Sequence, residues 1–242
     1  MGAKCFGEFV GTALLILLGD GVVANVLLKR SKAEGAGWLA IAAGWAFAVV
    51  FGVFASIACG SPDAFLNPAV TLGFAVQTGD FGKFLPFLVA QMLGAMTGAF
   101  FVWLHFYPHW RETEDPNLKL ACFSTMPAIR SFGANLLSEI IGTFVLVLGV
   151  AAIFSKKVAL AGPAPAMGPY LVGVLIWAIG LSLGGTTGYA INPARDLGPR
   201  IVHALLPLGK KRDSGWNYAA VPVVGPLIGA GLAGWFVRLA RM

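Results

Sequence analysis

At 242 residues, 57% of them hydrophobic and 12% charged, the chain carries about half the roughly 25% charged residues of an ordinary soluble domain, which excludes a water-facing globule and points to lipid as the solvent. A formal net charge of +6 with loops this short reads as Lys and Arg facing lipid headgroups, not as a nucleic-acid surface. Three cysteines, Cys5, Cys59 and Cys122, lack any CxxC spacing, which argues against a disulfide framework and a zinc site; each reads as a small packed thiol.

The first apolar stretch, 5–28, reaches the roughly 20 residues needed to cross a bilayer. It is too long for a signal-peptide core and lacks a clear cleavage site, so it reads as a retained span. It opens on "GEFVGT", which places Glu8 in the membrane. An intramembrane carboxylate suggests function by default, but it recurs in an equivalent place at Glu139, and both read as scaffolds that accept backbone N–H groups from neighbouring loops. The second stretch, 37–59, carries Trp45.

"AFLNPAVTLG" follows at 64–73. Asn is a strong N-cap and Pro is favoured at the first helical position, so Asn67-Pro68-Ala69 predicts a helix that starts at the Asn. Running to Gly79, it is about 20 Å long at 1.5 Å per residue, too short for roughly 30 Å of hydrocarbon. It is a half-span. The third full stretch, 84–106, contains Gly94 and Gly98, small residues that let helix backbones approach. "RETED" at 111–115 reads as a solvated loop.

The chain then repeats itself. In the stretch 132–154, "SEIIGT" sets Glu139, Gly142 and Thr143 on Glu8, Gly11 and Thr12 at an offset of 131, and the same offset maps Gly94 and Gly98 onto Gly225 and Gly229. The stretch 168–185 contains Gly180; "GYAINPARDLG" supplies a second half-span at Asn192-Pro193-Ala194, 125 residues after the first; and a sixth stretch covers 216–237. Three spans per copy is an odd number, so the second copy enters from the opposite face, as in the inverted repeats of many transport proteins. We read a single membrane domain, 1–242, with halves at about 1–125 and 126–242. Its two half-helices would meet N-terminus to N-terminus at the midplane, where non-helical backbone must be buried or line a wet cavity.

One residue breaks the symmetry: Arg195 stands where the first box has Val70. Its guanidinium offers five donors and keeps its charge, so a membrane site must offset it. The competing reading is a structural salt bridge with the adjacent Asp196. Asn67 and Asn192 are expected to cap with the side-chain oxygen and aim the amide N–H₂ into the pore. With two half-helix N-termini, each worth about half a positive charge, they make the midplane electropositive, which opposes cations and proton hopping. His105, His109 and His203 sit at span ends or in loops with no ligand spacing. No catalytic set appears, and no metal or cofactor is expected.

Two NPA boxes, each heading a half-span, and Glu-x-x-Gly-Thr opening each half resemble the major intrinsic proteins, the aquaporin and glycerol-facilitator family, over nearly the whole chain. The resemblance implies an all-α membrane protein of six transmembrane helices plus two half-helices in a right-handed bundle. It implies a homotetramer in the lipid bilayer, in a bacterial plasma membrane, with both termini cytoplasmic. That orientation puts six Lys and Arg inside and nine outside, against the usual inside excess.

Within the family, Asp196, Arg200 and the pair Pro222-Val223 resemble the glycerol branch. The resemblance carries the narrow filter onto Trp45, Gly180, Tyr189 and Arg195. There Trp45 and Tyr189 give ring faces to a solute's carbons, Arg195 bonds its hydroxyls, and Gly180 leaves room that a water channel fills with His. Glycerol channels usually have Phe where Tyr189 stands, and the family usually has His where Phe65 stands. The expected function is a passive channel for glycerol and related small uncharged solutes, with some water, that excludes ions and protons. The alternatives are a water-selective channel or a coupled secondary carrier, which needs ionisable groups beside the NPA boxes.

Overall fold

The computed structural model describes residues 1–164 and 166–242, and among these it is helical with no strand. The helices are α1 (Gly2–Leu27), α2 (Trp38–Ala58), α3 (Pro68–Thr78), α4 (Phe84–His105), α5 (His109–Glu112), α6 (Pro116–Ala121), α7 (Phe132–Phe154), α8 (Met167–Leu183), α9 (Pro193–Leu205) and α10 (Val221–Leu239). Five of them, α1, α2, α4, α7 and α10, are long and apolar enough to cross a membrane. The fifth expected span is shorter: α8 has 17 residues, about 26 Å of helix. The sixth begins at Val221 and not at 216, because Gly215 adopts φ 68° and the chain turns there before Pro222 enters the first helical turn.

The half-spans are built as their sequences dictate. Asn67 and Asn192 are extended N-caps at φ −157° and −152°. Asn67 Oδ1 accepts from the backbone N–H groups of Ala69 (2.8 Å) and Val70 (3.4 Å); Asn192 Oδ1 accepts from Ala194 (3.0 Å) and Arg195 (3.2 Å). Gly79 closes α3 in the left-handed conformation, φ 80°, which a residue with a Cβ adopts only at a cost.

Packing interlocks the repeats. α1 packs on α2 and α4, and α7 on α8 and α10, while the half-helix α3 rests on α10 of the other repeat and α9 rests on α4. The close approaches use glycines, but not in the expected register: Gly94 meets the carbonyl of Phe9 and Gly229 that of Ile140, 131 residues after Phe9, so Gly94 corresponds to Gly229 and not to Gly225. A Cβ at Gly98 would collide with the carbonyl of Ala13 on α1, and one at Gly229 with that of Ile140 on α7. In lipid there is no hydrophobic drive between helices, so this backbone-to-backbone contact is the main packing resource. Large apolar side chains such as Phe47, Phe51, Leu93, Leu137 and Trp235 stay exposed on the outer face, as a lipid-facing surface requires.

Several cations on the side that the family resemblance places outside are bound into the structure. Lys119 caps the carbonyls of Leu208 and Lys210, and Lys211 caps those of His203, Ala204 and Leu206 at the end of α9. Lys29 and Arg30 pair with Glu34 and Glu112, and Arg212 bonds Asn117. Burial pushes the Lys119 ammonium below its ordinary value. Five of the nine charges that weighed against the orientation are therefore structural ligands and caps, so the count is a poor reporter of which side faces the cytoplasm.

Candidate functional site

A cavity of about 350 Å³ lies within the bundle, bordered by Trp45, Asn67, Tyr189, Asn192 and Arg195 together with an apolar wall that includes Val49, Leu146, Val150 and Ile176. The backbone that leads to each NPA box is held in an unusual shape. Ala64 and Leu66 have φ of 42° and 53°, and the matching Tyr189 and Ile191 have 37° and 42°. Non-glycine residues at positive φ cost about 1–3 kcal/mol each, so something must hold them.

The buried glutamates do. Glu8 accepts from Ser61 Oγ (2.8 Å), the amides of Phe65 (3.0 Å) and Leu66 (2.8 Å), and Gln91 Nε2 (2.8 Å). Glu139 accepts from Thr187 Oγ1 (2.6 Å) and the amides of Ala190 (3.0 Å) and Ile191 (2.8 Å). Each carboxylate bonds the loop residues flanking or forming the strained pair, so the intramembrane carboxyls face the loops.

The asparagine amides differ from the expectation that they point wholly into the pore. Asn67 Nδ2 donates to Ile191 O at 2.8 Å, and Asn192 Nδ2 donates to Leu66 O at 2.9 Å. Each amide thus spends one N–H on the opposite loop, which locks the two half-helix starts together, and keeps one for the cavity that both residues border. The reciprocal carbonyls are those of the two residues at positive φ just before each Asn.

Four residues expected at the filter come together, but in different roles from those the sequence suggests. The guanidinium carbon of Arg195 lies 4.2 Å over the centre of the Trp45 ring; that face is engaged by the cation and is closed to a solute's carbons. Gly180 does not border the cavity among the described residues. A Cβ there would lie 2.9 Å from both Cζ and Oη of Tyr189, so the space left by the missing side chain is already occupied by the tyrosine's tip. The Tyr189 hydroxyl is buried with no hydrogen-bond partner among the described residues and lies against Gly180, so the tyrosine lines the cavity with its ring and not with its oxygen.

The salt-bridge reading of Arg195 named the wrong carboxylate. Asp196 instead binds Arg200, with Nη2 to Oδ1 at 2.6 Å, and accepts from the amide (2.7 Å) and hydroxyl (2.6 Å) of Thr125. Arg200 also donates to the carbonyls of Ser214, Gly215 and Thr125. These two residues form a buried clamp that ties α9 to loops on either side. Arg195 faces Asp20 on α1, with Nη1 to Oδ1 at 3.5 Å.

Two further residues were missed. Asp20 is the second acid of α1, twelve residues after Glu8, and stands 175 positions from Arg195 with no local spacing to join them. Trp38 donates from Nε1 to the carbonyl of Gly180 at 2.9 Å and lies edge-on to Tyr189 at 5.7 Å, bracing both. At the other end of the cavity Phe65 stacks on Phe74 at 5.3 Å and meets Phe87 edge-on, so an aromatic stack stands where the family's His would offer ring nitrogens. Pro222 is buried and Val223 half-buried at the start of α10, and neither borders the cavity. At its mouth Asp63 pairs with Lys83 at 2.8 Å, and that bond is the main reason the Lys83 ammonium is raised above its ordinary value.

The comparisons with known proteins agree with this architecture. The chain is 56% identical over 234 residues to glycerol uptake facilitator protein 3 of Lactiplantibacillus plantarum, covering 95% of this chain and 93% of that one. It is 53% identical to the probable glycerol uptake facilitator protein of Thermotoga maritima, covering 92% of each. The aquaglyceroporin of Plasmodium falciparum, solved by X-ray crystallography, superposes with a TM-score of 0.83 at 28% identity over 98% of this chain and 95% of that one. The family model described as "Major intrinsic protein" matches residues 2–237, and the chain belongs to that family.

Proposed function

We propose that the chain is a passive channel for glycerol and related small uncharged solutes, with some water permeability, that excludes ions and protons. Trp45, Tyr189 and Arg195 form its filter, Gly180 stands behind it and makes room for the Tyr189 ring, and the two NPA boxes form its midplane. The observation that carries this reading is the two-sided cavity: an apolar wall faces the Arg195 donors and the remaining asparagine N–H groups. A polyol has one edge of carbon and one of hydroxyls, and such a wall suits both. The names of the bacterial relatives support glycerol as the solute. In this reading residues 1–242 form one domain, a homotetramer in a bacterial plasma membrane with both termini cytoplasmic, and not an enzyme; family membership supports this.

A coupled carrier would need a carboxylate free to exchange protons beside the solute. Glu8 and Glu139 are occupied with three or four donors each, Asp63 is paired, and Asp20 faces Arg195 and does not border the cavity. Glycerol uptake into reconstituted vesicles is therefore expected to rise linearly with concentration over a wide range and to ignore an uncoupler. Abolition of downhill uptake by the uncoupler would favour the carrier.

A further inference from the structure

Asp20 lies in "GDG" in the C-terminal third of α1, with its side chain 1% exposed. An acid in a membrane span is costly and needs a partner. Oδ1 faces Arg195 Nη1 at 3.5 Å, and Oδ2 has no hydrogen-bond partner among the described residues. Gly19, the preceding residue, has no side chain, and a Cβ there would overlap the Trp45 ring. Trp45 is thereby laid flat against α1, and the guanidinium that rides on its face is brought within reach of Asp20. Trp45 and Arg195 border the cavity; Asp20 stands behind them.

The geometry around the guanidinium is thus asymmetric. One face rests on Trp45, one terminal nitrogen is drawn back toward Asp20, and no other protein acceptor binds the Arg195 side chain among the described residues. A pair at 3.5 Å is loose, and the idle Oδ2 leaves a second seat for a donor. The depth to which the cation projects into the pore is then set by a balance between Asp20 and whatever occupies the channel.

We infer that Asp20 is a specificity-determining positioning residue: it holds the Arg195 guanidinium back from the pore axis, and so sets the width of the filter and the charge that a solute meets there. This rests on the reading of Arg195 as a filter residue. Without the carboxylate, Nη1 has the pore contents as its remaining source of acceptors. The guanidinium turns inward, and the opening narrows for a polyol more than for water.

The test is a double-variant cycle in reconstituted vesicles, with glycerol and water permeability read by light scattering on protein checked for folding. Asp20→Asn, nearly the same shape without the charge, is expected to lower the glycerol-to-water ratio about fivefold, the factor that loss of one hydrogen bond's net worth produces. In an Arg195→Val background the same change is expected to leave the ratio where Arg195→Val alone puts it. Asp20→Glu keeps the charge and is expected to stay near the parent, and it serves as the readout should Asp20→Asn misfold: a folded Asp20→Glu whose ratio collapses overturns the role assigned to the charge. An equal effect of Asp20→Asn in both backgrounds assigns a merely structural role and overturns the proposal, as does no effect in either. A ratio unchanged by Arg195→Val itself defeats the filter reading, and the proposal falls with it; a ratio changed by Arg195→Val but not by Asp20→Asn defeats the proposal alone.

Discussion

Replacing Gly180 with His is expected to cut glycerol permeability by roughly tenfold or more while water is affected far less. Overpacking a tight site costs about 1–3 kcal/mol, and 1.4 kcal/mol is a factor of ten. The first atom added already meets Tyr189 at 2.9 Å and the Ala42 methyl at 3.3 Å. An imidazole needs much more room, so the tyrosine must yield. Trp38 closes one direction, its ring centre 5.7 Å from that of Tyr189 and nearly perpendicular to it, and the open direction is the cavity. The phenol is pushed into the path of the solute. Gly180→Ala is expected to fall between the two, since its single methyl asks Tyr189 to move only a few tenths of an ångström. Paired glycerol and water fluxes in vesicles check the ordering. Parental glycerol flux through a folded Gly180→His variant would show that Tyr189 can move elsewhere and that the filter is not at this level.

Glu139→Leu is expected to give the largest loss of stability among single changes at the site. It strips the acceptor from the amides of Ala190 and Ile191 and from the Thr187 hydroxyl. Each buried donor left unsatisfied costs about 1–3 kcal/mol, and relaxation of Tyr189 and Ile191 from positive φ loses its main restraint. The carbonyl of Ile191 would swing away from Asn67 Nδ2, which it accepts from at 2.8 Å, so the first NPA box is disturbed through the second. Glu139→Gln retains one acceptor oxygen and is expected to lie between Leu and the parent. Thermal unfolding in detergent, followed by flux at matched protein density, measures both effects. A proton-relay role would instead show Glu139→Gln with parental stability and altered flux.

The sequence makes the half-spans legible because their signals are local. Asn, Pro and a closing Gly act within one turn of the helix end they specify, and the structure places α3 between Asn67 and Gly79. The inverted repeat is legible for a related reason, since close helix packing demands glycine, but the register is not: Gly94 and Gly229 make the matched contacts, with Phe9 and Ile140, where the constant spacing pairs Gly94 with Gly225. What the sequence hides is pairing across the fold. Asp20 reads as one stray acid in an apolar run, and only the packing of Trp45 on Gly19 brings it to Arg195. Asp196 is adjacent to Arg195 in sequence yet leads away from it, because neighbouring residues on a helix diverge by about 100°, while Arg200, four residues on, shares the face of Asp196. Gly180 misleads in the same way. An absent side chain states that space is needed and is silent about which neighbour takes it.

The most direct test of the central claim is the reswelling phase of vesicles carrying the protein after a hyperosmotic glycerol jump. Shrinkage reports water leaving; reswelling reports glycerol entering with water behind it. The two-sided cavity predicts reswelling far faster than in protein-free vesicles of the same lipid. Accelerated shrinkage followed by reswelling no faster than in empty vesicles would make the chain a water-selective channel and contradict the account.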